Sequence, residues 1–89
     1  SEVEELAVSI QDLPQVQRDA IPELYYQSHV YSTDLARRSV KLNDVTYREG
    51  DWIEPNLQLL EIRPRQSILR QGRQSFRLPA LEDHVKAVN

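Results

Sequence analysis

The sequence predicts a small all-β domain: a sandwich or partly open barrel of about six short antiparallel strands, preceded by a short N-terminal helix or extended leader. Three observations lead there. Apolar and polar residues alternate in short runs, turn residues recur at close intervals between those runs, and no segment shows apolar periodicity of helix length. A chain of 89 residues has room for one domain and no second core.

Residues 1–12 are acidic, with apolar residues too scattered to build a face, and read as a disordered linker. The folded domain is expected over 13–81. It opens with a short helix from Leu13-Pro14 to Ala20, with Asp12 as N-cap and Leu13, Val16 and Ala20 on one side. Pro22 biases Ile21 away from helical angles, so the chain turns extended there.

The first strand spans Leu24 to Tyr31, where Tyr25, Tyr26, Val30 and Tyr31 suit a pleated, half-buried surface. Ser32-Thr33-Asp34 is loop chemistry. Arg38 to Leu42 then alternates, with Val40 and Leu42 inward, and Val45 and Tyr47 repeat the pattern after Asn43-Asp44. Asn and Asp tolerate positive φ, so this pair makes a two-residue hairpin turn.

Glu49-Gly50-Asp51 breaks the strand, and Trp52, the largest apolar side chain, is expected to plug one end of the core. Leu57 and Leu59 fall on one phase of alternation, Leu60 and Ile62 on the other. A bulge near Leu59-Leu60 reconciles them. Pro64 ends that strand, Gln66 to Arg70 forms the next, Gln71-Gly72 turns the chain, and Arg73 to Leu78 returns with Phe76 and Leu78 inward. The expected core is therefore Val40, Leu42, Tyr47, Trp52, Leu59, Ile62, Phe76 and Leu78. Residues 82–89 read as a frayed tail.

The chemistry is that of a binding module. With no cysteine there is neither a disulfide framework nor a thiolate metal site, and no phosphate-loop, dinucleotide or zinc-hydrolase motif occurs. No metal site, cofactor or catalytic residue is assigned. His29 is a lone strand histidine, and Glu49, Asp51 and Glu54 have the spacing of a turn. Residues 37–77 carry nine Lys/Arg against five Asp/Glu, behind an acidic leader. Arg63, Arg65, Arg70, Arg73 and Arg77 read as outward charges that keep strand edges soluble, and no nucleic-acid partner is assigned. The apolar runs fall far short of the about 20 residues that span a bilayer, so an anchor would lie outside this segment.

An ordered string of residues carries a family resemblance: Leu13-Pro14, Ile21-Pro22-Glu23-Leu24, Ser28-His29-Val30-Tyr31-Ser32 followed by Arg38, Leu42-Asn43, Tyr47-Arg48-Glu49-Gly50-Asp51, Leu59, Ile62-Arg63-Pro64 and Gln74-Ser75-Phe76-Arg77-Leu78-Pro79-Ala80. Over about residues 13–80 the chain resembles the periplasmic domain of the type II secretion system protein B family. It departs from the pattern at Asn43-Asp44, at Arg65-Gln66 and at Leu35, where relatives often carry Asn-Gly, Asp-Gly and proline.

The resemblance implies a periplasmic domain tethered to the inner membrane, a fold similar to the homology-region domain of secretion protein C, and a role in assembling or stabilising the outer-membrane secretin. Other inner-membrane components of the system are further expected partners. On that reading the contact is β-strand addition at the edge formed by Gln27, Ser28, His29, Val30, Tyr31 and Ser32, with Tyr26 or Tyr31 as side-chain anchors. The alternative is a cell-wall glycan (peptidoglycan) module built on Trp52, Tyr47 and outward arginines, which requires an exposed aromatic face.

Overall fold

The computed structural model describes residues 1–86 and is a two-sheet β-sandwich. The elements in chain order are α1 (Glu2–Leu6), β1 (Val8–Ser9), a 3-10 turn (Ile10–Asp12), α2 (Gln15–Ala20), β2 (Tyr26–Val30) and a second 3-10 turn (Leu35–Arg37). Then follow β3 (Ser39–Leu42), β4 (Val45–Tyr47), β5 (Trp52–Glu54), β6 (Leu57–Ile62), β7 (Gln66–Gln71) and β8 (Gln74–Pro79). One sheet runs β1-β8-β7-β6-β5 and the other β2-β3-β4. Every pairing is antiparallel except β1 with β8, which is parallel.

Local chemistry explains the turns. β3 and β4 are joined by Asn43-Asp44, with φ of 52° and 68°, the left-handed pair that matches the twist of the flanking strands. Asn43 Oδ1 accepts the Tyr25 N–H, and its Nδ2 donates to the Glu23 carbonyl, so this side chain also anchors the chain entering β2. Gly72, φ 60°, is the first of two loop residues between β7 and β8.

In β6 the register shifts between Leu59 and Glu61, which makes Leu60 the extra residue. The bulge brings Ile62 onto the buried face with Leu57 and Leu59. The core between the sheets holds Tyr26, Val40, Leu42, Leu57, Leu59, Ile62, Leu69, Phe76 and Leu78, with Ile10, Leu13, Ile21 and Leu24 closing it and Tyr47 packed at its margin.

Four expectations are corrected. Trp52 is 58% exposed instead of plugging the core; its neighbour Ile53 takes the inward face and packs on the core. Adjacent residues of a strand point to opposite faces, so only one of the two can be inside.

The leader is structured, not a linker. Ala7, Ile10 and Leu13 are buried, β1 pairs with Phe76 and Arg77, and α1 lies against β6. Glu4 holds it there through an ion pair with Arg63 Nε (3.5 Å) and by accepting from Gln66 Nε2 (2.6 Å). With β1 and the separate β5, the strands number eight among the described residues, against about six expected.

The short helix starts at Gln15 with Pro14, not Asp12, as its N-cap, and Val16 is exposed; the buried residues flank the helix at Leu13 and Ile21. Finally, 82–86 is docked instead of frayed: His84 is buried and bridges to Leu24. Residues 87–89 of that expected tail lie outside the described residues.

Candidate functional site

β2 is an outer strand of the three-stranded sheet, paired to β3 on one side only. Its register shifts between Tyr26 and Ser28, so Gln27 is a bulge residue. The bulge changes which face each side chain takes. Tyr26 and His29, three apart and destined for opposite faces in a regular strand, both turn inward, opposite the buried Leu42 and Val40.

Between the sheets these two side chains form a polar chain. The Tyr26 hydroxyl lies 2.6 Å from Ser67 Oγ and 2.6 Å from His29 Nδ1, and His29 Nε2 lies 2.7 Å from the Arg63 carbonyl. A carbonyl only accepts, so Nε2 carries the proton. In the neutral ring Nδ1 then accepts from Tyr26, whose oxygen accepts in turn from Ser67. Burial pushes the Tyr26 phenol up to about 12, with the Ser67 hydrogen bond opposing it. Both His29 nitrogens are thus engaged, Nδ1 with Tyr26 of the same strand and Nε2 across the sandwich with the Arg63 carbonyl, and neither is placed to act as a base on a substrate.

The end of β2 is fixed as firmly. The Arg38 guanidinium, almost wholly buried, donates from Nε to the Ser32 carbonyl (2.7 Å) and from Nη2 to the Tyr31 hydroxyl (3.3 Å), and stacks 4.6 Å from the Tyr31 ring centre. Its Nη1 pairs with Glu49 Oε2 at 3.1 Å, and the same oxygen accepts the Ile62 N–H at 2.8 Å. Glu49 therefore ties the β2 exit to the bulged strand β6.

Of the six residues expected at the contact, β2 brings together Gln27, Ser28, His29 and Val30, and Tyr31 and Ser32 continue from its end. Their side chains are unequal. His29 and Tyr31 are engaged within the domain, Gln27 exchanges two hydrogen bonds with Asp44, and Val30 stands 48% exposed. Tyr26 is buried and cannot serve as an anchor for a partner. What the strand offers outward is its backbone and Val30.

Sequence reasoning missed two parts of this edge. Arg38 stood in the family string and before an alternating run, but neither signal gave its role at the end of β2. The segment 83–86, read as tail, lies along the start of the same edge.

Three of the basic residues are engaged within the domain: Arg63 is paired with Glu4, Arg77 donates to the Ala7 carbonyl and Arg70 donates to Gln58. Exposed Trp52 lies opposite Gln58, and Gln58 opposite Arg70, so the three form a row across β5, β6 and β7. Among the described residues no group of His, Cys, Asp and Glu could hold a metal ion, and no helix is long and apolar enough to cross a membrane.

Comparison with known proteins places the chain. Residues 21–80 match the family described as type II secretion system protein B. The chain is 38% identical over 80 residues to the general secretion pathway protein B of Aeromonas hydrophila, covering 90% of this chain and 35% of that protein. It is 33% identical over 68 residues to the namesake in Klebsiella pneumoniae, covering 76% and 39%. The crystal structure of Dickeya dadantii GspB from the type 2 secretion system is similar at a TM-score of 0.69 and 33% identity, covering 71% of this chain and 75% of that one. The chain thus spans little more than a third of the length of the two relatives matched by sequence.

Proposed function

The chain belongs to the type II secretion system protein B family, and on that premise we propose that it is a non-enzymatic assembly module that holds the outer-membrane secretin by strand addition at β2. It works in the periplasm, tethered to the inner membrane through a part of the protein outside this segment, and aids assembly or stability of the secretin. The observation that carries the reading is the state of β2: an outer strand whose inward side chains are hydrogen-bonded to the opposite sheet and whose exit is held by Arg38, leaving the backbone edge of Gln27–Tyr31 without a partner strand among the described residues. Such an edge recognises an extended partner through main-chain hydrogen bonds, and rigidity lowers the ordering cost of binding.

One observation favours a second reading. Trp52 is exposed and in line with Gln58 and Arg70, which meets the requirement of an aromatic platform flanked by polar groups for a cell-wall glycan. A single NMR titration of the labelled domain separates the two. Shifts at Gln27–Ser32 on adding the secretin's periplasmic domains, with Trp52, Gln58 and Arg70 unmoved, are the expected result. Silence there, with shifts at Trp52, Gln58 and Arg70 on adding peptidoglycan fragments, overturns strand addition in favour of wall binding.

A further inference from the structure

The edge assigned to the partner is already occupied at its start. Leu24 and His84 exchange both backbone hydrogen bonds, each 2.9 Å, in an antiparallel bridge. One step along, the Tyr26 N–H donates to Asp83 Oδ1 at 2.7 Å, and the Lys86 N–H donates to Glu23 Oε2 at 3.1 Å. Between them Tyr25 bonds the other way, its N–H and carbonyl both meeting Asn43 at the β3 side. Leu24 and Tyr26 therefore face away from β3, toward the free edge of β2.

We propose that Asp83–Lys86 is a displaceable resident strand on this edge, and that a partner strand binds over Leu24 to Ser32 by replacing it. This rests on the strand-addition reading above and extends its footprint by the Leu24–Tyr26 end.

Three features make the segment a weak occupant. It forms one residue pair of true backbone ladder. At Tyr26 a side-chain carboxylate stands where a longer strand would place a main-chain carbonyl. Docking also buries the His84 ring, whose Nε2 is shielded from solvent with no hydrogen-bond partner among the described residues, an arrangement that opposes its own formation. An incoming antiparallel strand restores both Leu24 bonds, supplies a carbonyl to Tyr26 and returns His84 to water, so the exchange conserves hydrogen bonds and relieves an unpaired one.

Hydrogen exchange on the intact chain tests the device without any partner. The Leu24 amide should exchange at least 100-fold faster than the Leu69 amide at the sheet centre, because it needs only local opening; equal protection overturns the proposal. Titration with the secretin's periplasmic domains supplies the second arm. Asp83→Ala, which removes the Tyr26 cap, should tighten binding severalfold. His84→Leu, which buries without an unpaired nitrogen, should weaken it by a similar factor.

Unchanged or inverted responses, with shifts at Gln27–Ser32 intact, overturn the resident strand and leave strand addition standing. If no variant shows shifts at Gln27–Ser32, strand addition itself fails. Leu24 exchange then decides alone whether Asp83–Lys86 is displaceable.

Discussion

The Tyr26 hydroxyl and His29 Nδ1 are 2.6 Å apart, although residues three apart in a regular strand point to opposite faces. The bulge at Gln27 makes that contact possible, and through it β2 is hydrogen-bonded across the sandwich to Ser67 and to the Arg63 carbonyl. An edge strand that offers its backbone to a partner has to be held from behind. Here the holding is done by polar groups, which fix register and orientation in a way that apolar contacts do not.

Removing the hydroxyl tests that linkage. Tyr26→Phe keeps the ring in the core but leaves the fully buried Ser67 Oγ and His29 Nδ1 without their partner. The expected loss is about 1–3 kcal/mol, read from the urea midpoint at unchanged slope.

The same residue predicts an alkaline transition. The Tyr26 phenol is raised from 10.0 in the unfolded chain to about 12, chiefly by burial. Below the unfolded value both states keep the proton and the contribution is whole. As pH rises from about 10 through about 12 the unfolded chain ionises first, so stability falls, by about 3 kcal/mol for a two-unit shift. Melting curves across this range should show that extra slope in the parent and not in Tyr26→Phe.

Arg38 and Glu49 form an ion pair with side-chain exposures of 9% and 22%, and each has a further backbone partner. Arg38→Ala strands the Glu49 carboxylate and the Ser32 carbonyl together, and should cost about 3–5 kcal/mol. Glu49→Gln retains an acceptor for the Ile62 N–H and should cost less. Chemical denaturation of both variants gives the ranking; equal losses would show that charge, not hydrogen bonding, dominates.

Trp52 and Leu59 should behave oppositely. Trp52 is exposed, so its emission should be that of a solvated indole, readily quenched by acrylamide, and Trp52→Ala should change stability by about 0.5 kcal/mol or less. Leu59 is fully buried in the sandwich, and Leu59→Ala should cost about 2–5 kcal/mol.

Val30 is the exposed apolar side chain of β2. Val30→Lys should leave the melting temperature near that of the parent while weakening secretin binding at least tenfold, since a lysine on an edge strand opposes pairing. Full binding by the variant, measured by calorimetry, would remove β2 from the contact.

Much of the fold was legible because its signals are local. Positive φ at Asn43 and Asp44, the turn at Gly72 and the phase change around Leu60 are properties of a few adjacent residues, and the alternation of Val40 and Leu42 marks a buried face without reference to the rest of the chain.

The tertiary structure decided what local signals leave open. Alternation says that Trp52 and Ile53 face opposite ways but not which of them meets the other sheet, and side-chain size pointed to the wrong one. Ala7, Ile10 and Leu13 have no face of their own until β8 and the core supply it. The bulge at Gln27, the Tyr26–His29–Arg63 chain and the docking of Asp83 and His84 each join residues distant in sequence or depend on a partner strand. Periodicity in one strand carries no information about them, because hydrogen-bond partners across a sandwich are chosen only when the two sheets close.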